Sequence, residues 1–495
     1  MIKKYCIYII ILAASIMNSC STKFYSVNRQ SLPPLNTQNN LQSAPYITLH
    51  MLNGMVYILS DWQIAQNEEF VSGNGDLYGI NRNKISSGDF SVPVDHIAIA
   101  ETNILEGITN SLSAISIISA GLSGFCIVNP KACFGSCPTF YISDGDSMAL
   151  MAEGFSSSTT PAWEATDVDA LFLADLKGNE IRLKVTNEAH ETHAIRSIKL
   201  LAFPKLKGKR VIRTTDEKYF QSNLIYPSVC NAAEGDILPE VLFFDKEERF
   251  SAADDNYLAE KEYIEVSFDN ITATKAALVL GKRQTLLSTF IYYESLDYMG
   301  SGRGEDMARI VRGDKMVSKG REKLLETLGG IDVQVLSKSG QWTTIGTDME
   351  AGPIARDVVG IPLPTITDNS IKIRLRLTKG LWRIDYIALA ELEKELHPMV
   401  LNPLRVENSN KIDPKSLKAL LDPDRYFTTI RGDVYNLFFA MPDSESSYDW
   451  FLESRGYYLE WHRDEWLKHN NELALAELLV FPRRALKRLA PQLKN

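Results

Sequence analysis

Between residues 331 and 392 the chain carries the runs IDVQVLSKSGQWTTIG and IKIRLRLTKGLWRIDYIAL. Apolar and polar residues alternate in each, and a polar Gly turn separates the two halves. A period of two puts every second side chain on one face of a strand. Turns this short join only antiparallel neighbours. This pattern therefore commits the segment to antiparallel sheet. EIRLKVTNEAHETHAIRSIKLLAF and YIEVSFDNITATKAALVLG carry similar alternation between residues 180 and 280. Together these runs predict a β-sandwich-like region over 176–395. RQTLLSTFIYYESLDYM, residues 283–299, interrupts it with Leu286, Leu287, Phe290, Ile291 and Tyr298 at helical spacing, which predicts one inserted helix.

The flanks have a different character. YITLHMLNGMVYIL alternates around Asn53–Gly54, a strong hairpin signal, and VDHIAIAET closes a small β-barrel or meander over 46–103. SGNGDLYG, residues 72–79, reads as a turn. Residues 104–175 form a junction. Its first part, ILEGITNSLSAISIISAGLSGFCIV, suits a buried helix or a close-packed hairpin. Its last part, AEGFSSSTTPAWEATDVDAL, suits a loop whose hydroxyls bond the backbone. In 396–495, YDWFLESRGYYLEWHRDEWLKH spaces Leu452, Leu459 and Trp466 by seven. It reads as an amphipathic helix in which Gly456 costs about 1 kcal/mol. FPRRALKRLAPQLKN ends the chain as a basic tail. The expected fold is mainly β with α additions, in several domains. It comprises a small N-terminal β unit, an antiparallel sandwich-like centre and an α-containing C-terminal region.

The first residues give an address. MIKKYCIYIIILAASIMNSC places two lysines before an apolar run of about a dozen residues, too short to span a bilayer. It resembles a bacterial lipoprotein signal over 1–19, cut before an acylated Cys20. Met17 departs from that pattern's preferred Leu, and Ser19 fits it. Two or more acyl chains on Cys20 would hold the protein to a membrane. Ser21 and the absence of an acidic cluster after it point to the periplasmic face of the outer membrane. Residues 20–45 read as the lipidated cysteine and a flexible tether. The formal charge of −9 is the wrong sign for a nucleic-acid partner.

Four cysteines follow: Cys126, Cys133, Cys137 and Cys230. In an oxidising compartment an even number reads first as two disulfides, with the pairing open among three choices. A tie from the first three to Cys230 would close a long loop, worth about 4–5 kcal/mol by chain entropy. A zinc site is the sharper alternative, supported by the Cys133–Cys137 spacing and weakened by the isolation of Cys230. In NEAHETH, the residues Glu188, His190 and His193 are the metal candidates, although histidines three apart in strand-like sequence are not the helical H-E-x-x-H arrangement. Asp245, Asp254, Asp255 and Asn256 are oxygen donors without an EF-hand spacing. MGSGRGED lacks a phosphate-loop lysine, and no G-x-S-x-G elbow occurs.

NPKACFGSCPTFYISDG, AEGFSSS, EATDVDAL and FLESRGYYLEWHRDEW resemble blocks of an uncharacterised family of large Bacteroidota envelope proteins. The resemblance implies an address and no catalytic residues. The sheet runs are loosely similar to carbohydrate-binding sandwich modules, which makes Trp342 and Trp382, each close behind a Gly turn, candidate glycan contacts. The expectation is a non-enzymatic, lipid-anchored envelope protein with a binding or scaffolding role, a protein or glycan partner and no cofactor. The alternative is an envelope hydrolase using a metal or carboxylates around Glu188–His193. Cys20→Ser should move the chain from the membrane to the soluble fraction. Intact mass of the parent should show acyl chains that the variant lacks.

Overall fold

The computed structural model describes residues 25–30, 46–51, 55–65, 69–78, 84–105, 137–143, 145, 147–189, 191–245, 247–300, 315–349, 352–460, 466, 469 and 471–493. Cys20, Cys126, Cys133, His190, the Gly-rich stretch 301–306 and most of the apolar segment 104–128 lie outside them. No helix among the described residues is long and apolar enough to cross a membrane.

The N-terminal unit is one antiparallel sheet. Its strand order is Tyr25–Gln30, Ile97–Leu105, Tyr46–Met51, Val56–Ile64, Phe70–Tyr78, Lys84–Pro93. The strands on either side of Asn53–Gly54 pair as expected, and Met51 N–H donates to Met55 O at 2.9 Å. Alternate residues Ile47, Leu49, Leu59 and Val71 form the core with Trp62. Two expectations are corrected here. The tether contains a strand, Tyr25–Gln30, paired with Ile97–Leu105. SGNGDLYG is no turn but most of the strand Phe70–Tyr78. Its glycines admit the neighbouring backbone, because a Cβ on Gly75 would lie 1.9 Å from Ile58 O.

The rest of the β structure is four sheets linked by three shared cores. The first sheet holds Thr139–Ser143, Met148–Glu153, Glu180–Thr186, Arg405–Asn408 and Val434–Ala440, with Lys411–Ile412 at one edge. The second holds Ala165–Ala170, Glu191–Pro204, Met399–Leu401 and Tyr448–Glu460, with Phe427–Thr429 beside them. The third centres on Ala276–Gln284 and Trp382–Leu396, and the fourth on Lys261–Asp269 and Ser370–Thr378. Phe140, Leu183 and Leu437 of the first sheet pack on Leu200 and Leu452 of the second. Leu201, Phe203 and Phe451, on the other face of that second sheet, meet Val279, Tyr386 and Ala388 of the third. Leu278, Leu280 and Leu389 then face Ile264, Val266, Ile373 and Leu375 of the fourth. The two middle sheets are thus buried on both faces. Their strands accordingly read as near-continuous apolar runs, IKLLAF and AALVL, rather than clean alternation.

The helix Leu286–Met299 forms as expected, capped by the Thr285 side chain, which accepts from Leu287 N–H at 3.1 Å. The C-terminal helices Glu472–Val480 and Pro482–Leu489 supply Ala474, Leu475, Leu478, Ala485 and Leu486 to the core between the third and fourth sheets. The stretch expected as a helix from Tyr448 is instead the strand Tyr448–Glu460. It pairs with Glu191–Pro204 on one side and Ala165–Ala170 on the other. Trp450 and Leu452 turn to the first sheet and Phe451 to the third. Burial on both faces hides the period of two, and the sevenfold spacing of leucines is incidental. The boundary expected at 396 also falls inside the sandwich, because 399–460 completes the first two sheets.

Gly456 discriminates sharply between strand and helix. A Cβ there would meet Ala194 O at 2.4 Å and Phe155 Cζ at 2.9 Å. Gly456→Ala should therefore lower stability by about 1–3 kcal/mol through overpacking. In a helix it would raise stability by about 1 kcal/mol. The urea midpoint gives the sign.

Candidate ligand-binding cavity

Three helices, Leu286–Met299, Lys315–Leu328 and Glu472–Val480, enclose a cavity of about 480 Å³ with the hydroxyl-rich turn that follows Met148–Glu153. Gly320 lets two of these helices approach, since a Cβ there would sit 2.8 Å from Leu479 Cβ. Asn471 caps the last helix by accepting from Ala474 N–H at 3.0 Å. The lining is mostly apolar, with Ile291, Leu296, Met299, Leu324, Leu325 and Leu475, and the first helix adds Ser288, Thr289, Tyr292 and Ser295. The rim carries Ser156, Ser157, Thr159 and Thr160.

The rim is held rigidly. Phe155 sits at φ +39° and its N–H donates to Asp167 Oδ2 at 2.8 Å. Ser158 O accepts from Tyr458 N–H at 2.9 Å, and Ser156 O accepts from the Tyr458 hydroxyl at 3.3 Å. Burial pushes the Tyr458 phenol well above the ordinary tyrosine value, so it stays a donor. A 3-10 turn, Pro161–Trp163, then presents Trp163 to the cavity. The next residue, Glu164, fixes that turn. It accepts from Arg196 at 2.5 and 2.7 Å, from Arg455 at 2.8 Å and from the Tyr426 hydroxyl at 2.5 Å. Burial pushes the Glu164 carboxyl up, but hydrogen bonds from Arg196, Tyr426 and Arg455 outweigh it and bring it down to about 2.

Arg321, on Lys315–Leu328, places its guanidinium 4.1 Å from the centre of the Trp163 ring. Among the described residues it makes no ion pair and no hydrogen bond. Burial lowers its pKa, and Glu322 offsets part of that. Arg321, Leu324, Leu325 and Leu328 lie at i, i+3, i+4 and i+7, one face of a helix. A cation within an apolar stripe was the sequence signal for this site, and the reading of isolated motifs passed over it. Trp163 stood inside the stretch read as a plain hydroxyl loop.

The residues singled out from sequence are dispersed. Cys137 lines the cavity, with its Sγ 3.9 Å from Glu153 Oε1. Glu153 also accepts the N–H groups of Ile354 and Ala355 at 2.8 and 2.7 Å, tying that loop to the first sheet. Cys230 is a free thiol, and no disulfide joins it to Cys137. The long-range tie expected of Cys230 is therefore not made. It sits in the core under Ile264 and Val266, where burial pushes the thiol up to about 12. His193 is fully buried. Its Nε2 is 2.8 Å from Glu191 Oε1 and its Nδ1 is 3.0 Å from Thr429 Oγ1. Glu188 accepts from the Tyr141 hydroxyl at 2.7 Å and from Thr186 Oγ1 at 2.9 Å. Among the described residues no group of three His, Cys, Asp or Glu side chains could hold a metal ion. Asp254 accepts from Asn256 and Tyr257 N–H at 3.0 Å each, and so serves a turn.

Trp382 is corrected as a glycan contact. It is 1% exposed and belongs to the core between the third and fourth sheets. Trp342 is half-buried, with the Arg374 guanidinium 4.5 Å from its ring centre. A wider hollow of about 840 Å³ runs past Asp254, Glu260, Lys261 and Lys487. Its Lys261 ammonium is already used, donating to Leu328 O at 2.5 Å and Thr378 Oγ1 at 2.7 Å.

No protein-family model and no curated protein matches the chain. Among solved structures, BuGH86 in complex with neoagarooctaose is 10% identical, with a TM-score of 0.18. The match covers 46% of this chain and 33% of that one, so this chain spans about a third of its length. The secreted serine protease VesC from Vibrio cholerae is 7% identical at a TM-score of 0.14, covering 75% of this chain and 99% of that one. The GH31 alpha-xylosidase from Xanthomonas citri is 7% identical at 0.15, covering 87% and 38%. Likenesses this distant carry no argument about fold or activity.

The Glu164 network generates a pH signature. A carboxyl held at about 2 rather than its ordinary 4.5 stabilises the fold above pH 4.5 and loses that contribution as pH falls through 2. Glu164→Gln should cost about 3 kcal/mol at pH 7. The difference from the parent should shrink towards zero by pH 2, as read from urea midpoints at both pH values.

Proposed function

We propose that the protein is a lipid-anchored cell-envelope protein with a non-catalytic binding role, and that it takes a small, largely apolar ligand in the cavity beneath the three helices. Cys20 would hold it at the periplasmic face of the outer membrane. The observation that carries the reading is the cavity itself. A volume of about 480 Å³ whose surface is mostly apolar, with hydroxyl groups and one guanidinium among its lining, has the size and lining of a small-molecule site. The rim is braced by Glu164, Tyr458 and Asp167, so a ligand would meet a preformed surface. The burial of Trp382 removes one of the two side chains that suggested a glycan. The hydrolase alternative draws no support from His193, whose ring nitrogens are both engaged.

The test is titration of the full chain with 1-aminoanthracene, an uncharged apolar fluorophore. One molecule should bind per chain and raise the melting temperature by mass action, about 2.7 kcal/mol at a hundred times Kd. Leu324→Trp and Leu325→Trp, each filling the floor, should weaken binding at least tenfold while circular dichroism stays unchanged. Equal binding to both filled variants would remove the cavity as the site.

A further inference from the structure

We propose that the ligand of this cavity is a single-chain amphiphile with one anionic head, its head held by Arg321 and its chain lying among the leucines of the three helices. The proposal rests on the binding role given above and adds the chemical class.

Arg321 is the reason. A guanidinium taken from water into apolar surroundings is costly unless a partner of opposite charge compensates it. Here the described residues provide none, and Glu322 acts only at a distance. Stacking on Trp163 occupies one face of the planar group. It leaves the in-plane N–H donors, none of which is hydrogen-bonded among the described residues. Such a planar fork matches two oxygens of a carboxylate or a phosphate. Ser156, Ser157, Thr159 and Thr160 line the same cavity and add hydroxyl partners for the head.

The remaining lining favours a chain over a compact anion. Ile291, Leu296, Leu324, Leu325 and Leu475 offer a hydrocarbon no hydrogen bonds and no charge. Ser288, Thr289, Tyr292 and Ser295 also reach the cavity, but its surface is mostly apolar, so a sugar or a peptide would bury more polar groups than it could bond. An alkyl chain loses nothing there, and each added methylene should tighten binding about fourfold until the floor is covered.

The experiment is calorimetric titration of the full chain, below micelle-forming concentrations, with dodecanoate, dodecyl phosphate and dodecanol. At least one of the anions should bind at least tenfold more tightly than dodecanol. The tighter of the two anions identifies the source, a free fatty-acid carboxylate or a lipid phosphate. Arg321→Gln should erase the preference while dodecanol affinity stays within about twofold, and Arg321→Lys should keep part of it. Dodecanol binding as tightly as both anions would overturn this proposal and leave the binding role standing. Binding of 1-aminoanthracene without any of the three chains would also overturn it. Failure of all four would overturn both. The head-group comparison on the parent chain needs no variant to fold.

Discussion

Burial on both faces of the second and third sheets is the constraint on which everything else depends. A strand that is covered above and below has no solvent side on which to place polar residues. Glu191–Pro204 and Ala276–Gln284 meet this with runs of Leu, Val, Ala and Phe. Two of the charges that do enter the third sheet are paired. Lys282 is fully buried between Asp348 and Asp357, at 2.9 and 3.2 Å. Asp385 is fully buried and paired with Arg356. Register shifts adjust which face each residue meets. The shift between Ile195 and Ser197 lets Ile195 and Ile198 share one core. The shift between Gly281 and Lys282 is matched across the ladder by Asp385, so Ile384 and Ile387 face the same side.

The cavity follows from how this stack ends. The core between the third and fourth sheets is closed by helices rather than by another sheet. The cavity lies where these helices meet the serine-rich turn of the outer sandwich. Its two marked residues come from opposite sides of that seam. Trp163 is delivered by a 3-10 turn pinned through Glu164, and Arg321 by a helix.

Much of the β architecture could be read from the chain because alternation survives wherever one sheet face meets a core and the other meets solvent. YITLHM and KEYIEVSFD show it plainly. The helix Leu286–Met299 was equally visible through its spacing. Legibility failed where alternation was erased. Tyr448–Glu460 is buried on both faces, so its aromatics suggested a helix. Phe70–Tyr78 carries two glycines that serve close strand approach and were read as a turn. The site was harder still. Trp163 and Arg321 are 158 positions apart in the chain, and only the fold brings ring and guanidinium together. Trp382 shows the converse error, in which position after a glycine suggested exposure and packing in the core decided otherwise.

The chain path has a kinetic corollary. The second sheet is closed by Tyr448–Glu460 lying against Glu191–Pro204, and Lys199 pairs with Glu453 across 254 residues of sequence. The third and fourth sheets are made almost wholly from the chain between those two strands. Contacts of such long range demand that loop-closure entropy be met before packing repays it, so this topology folds slowly. A ribosome releases the closing strand only after all the chain that builds the third and fourth sheets. Until then the long strand Glu191–Pro204 lacks its main partner, an open apolar edge that needs shielding from other chains.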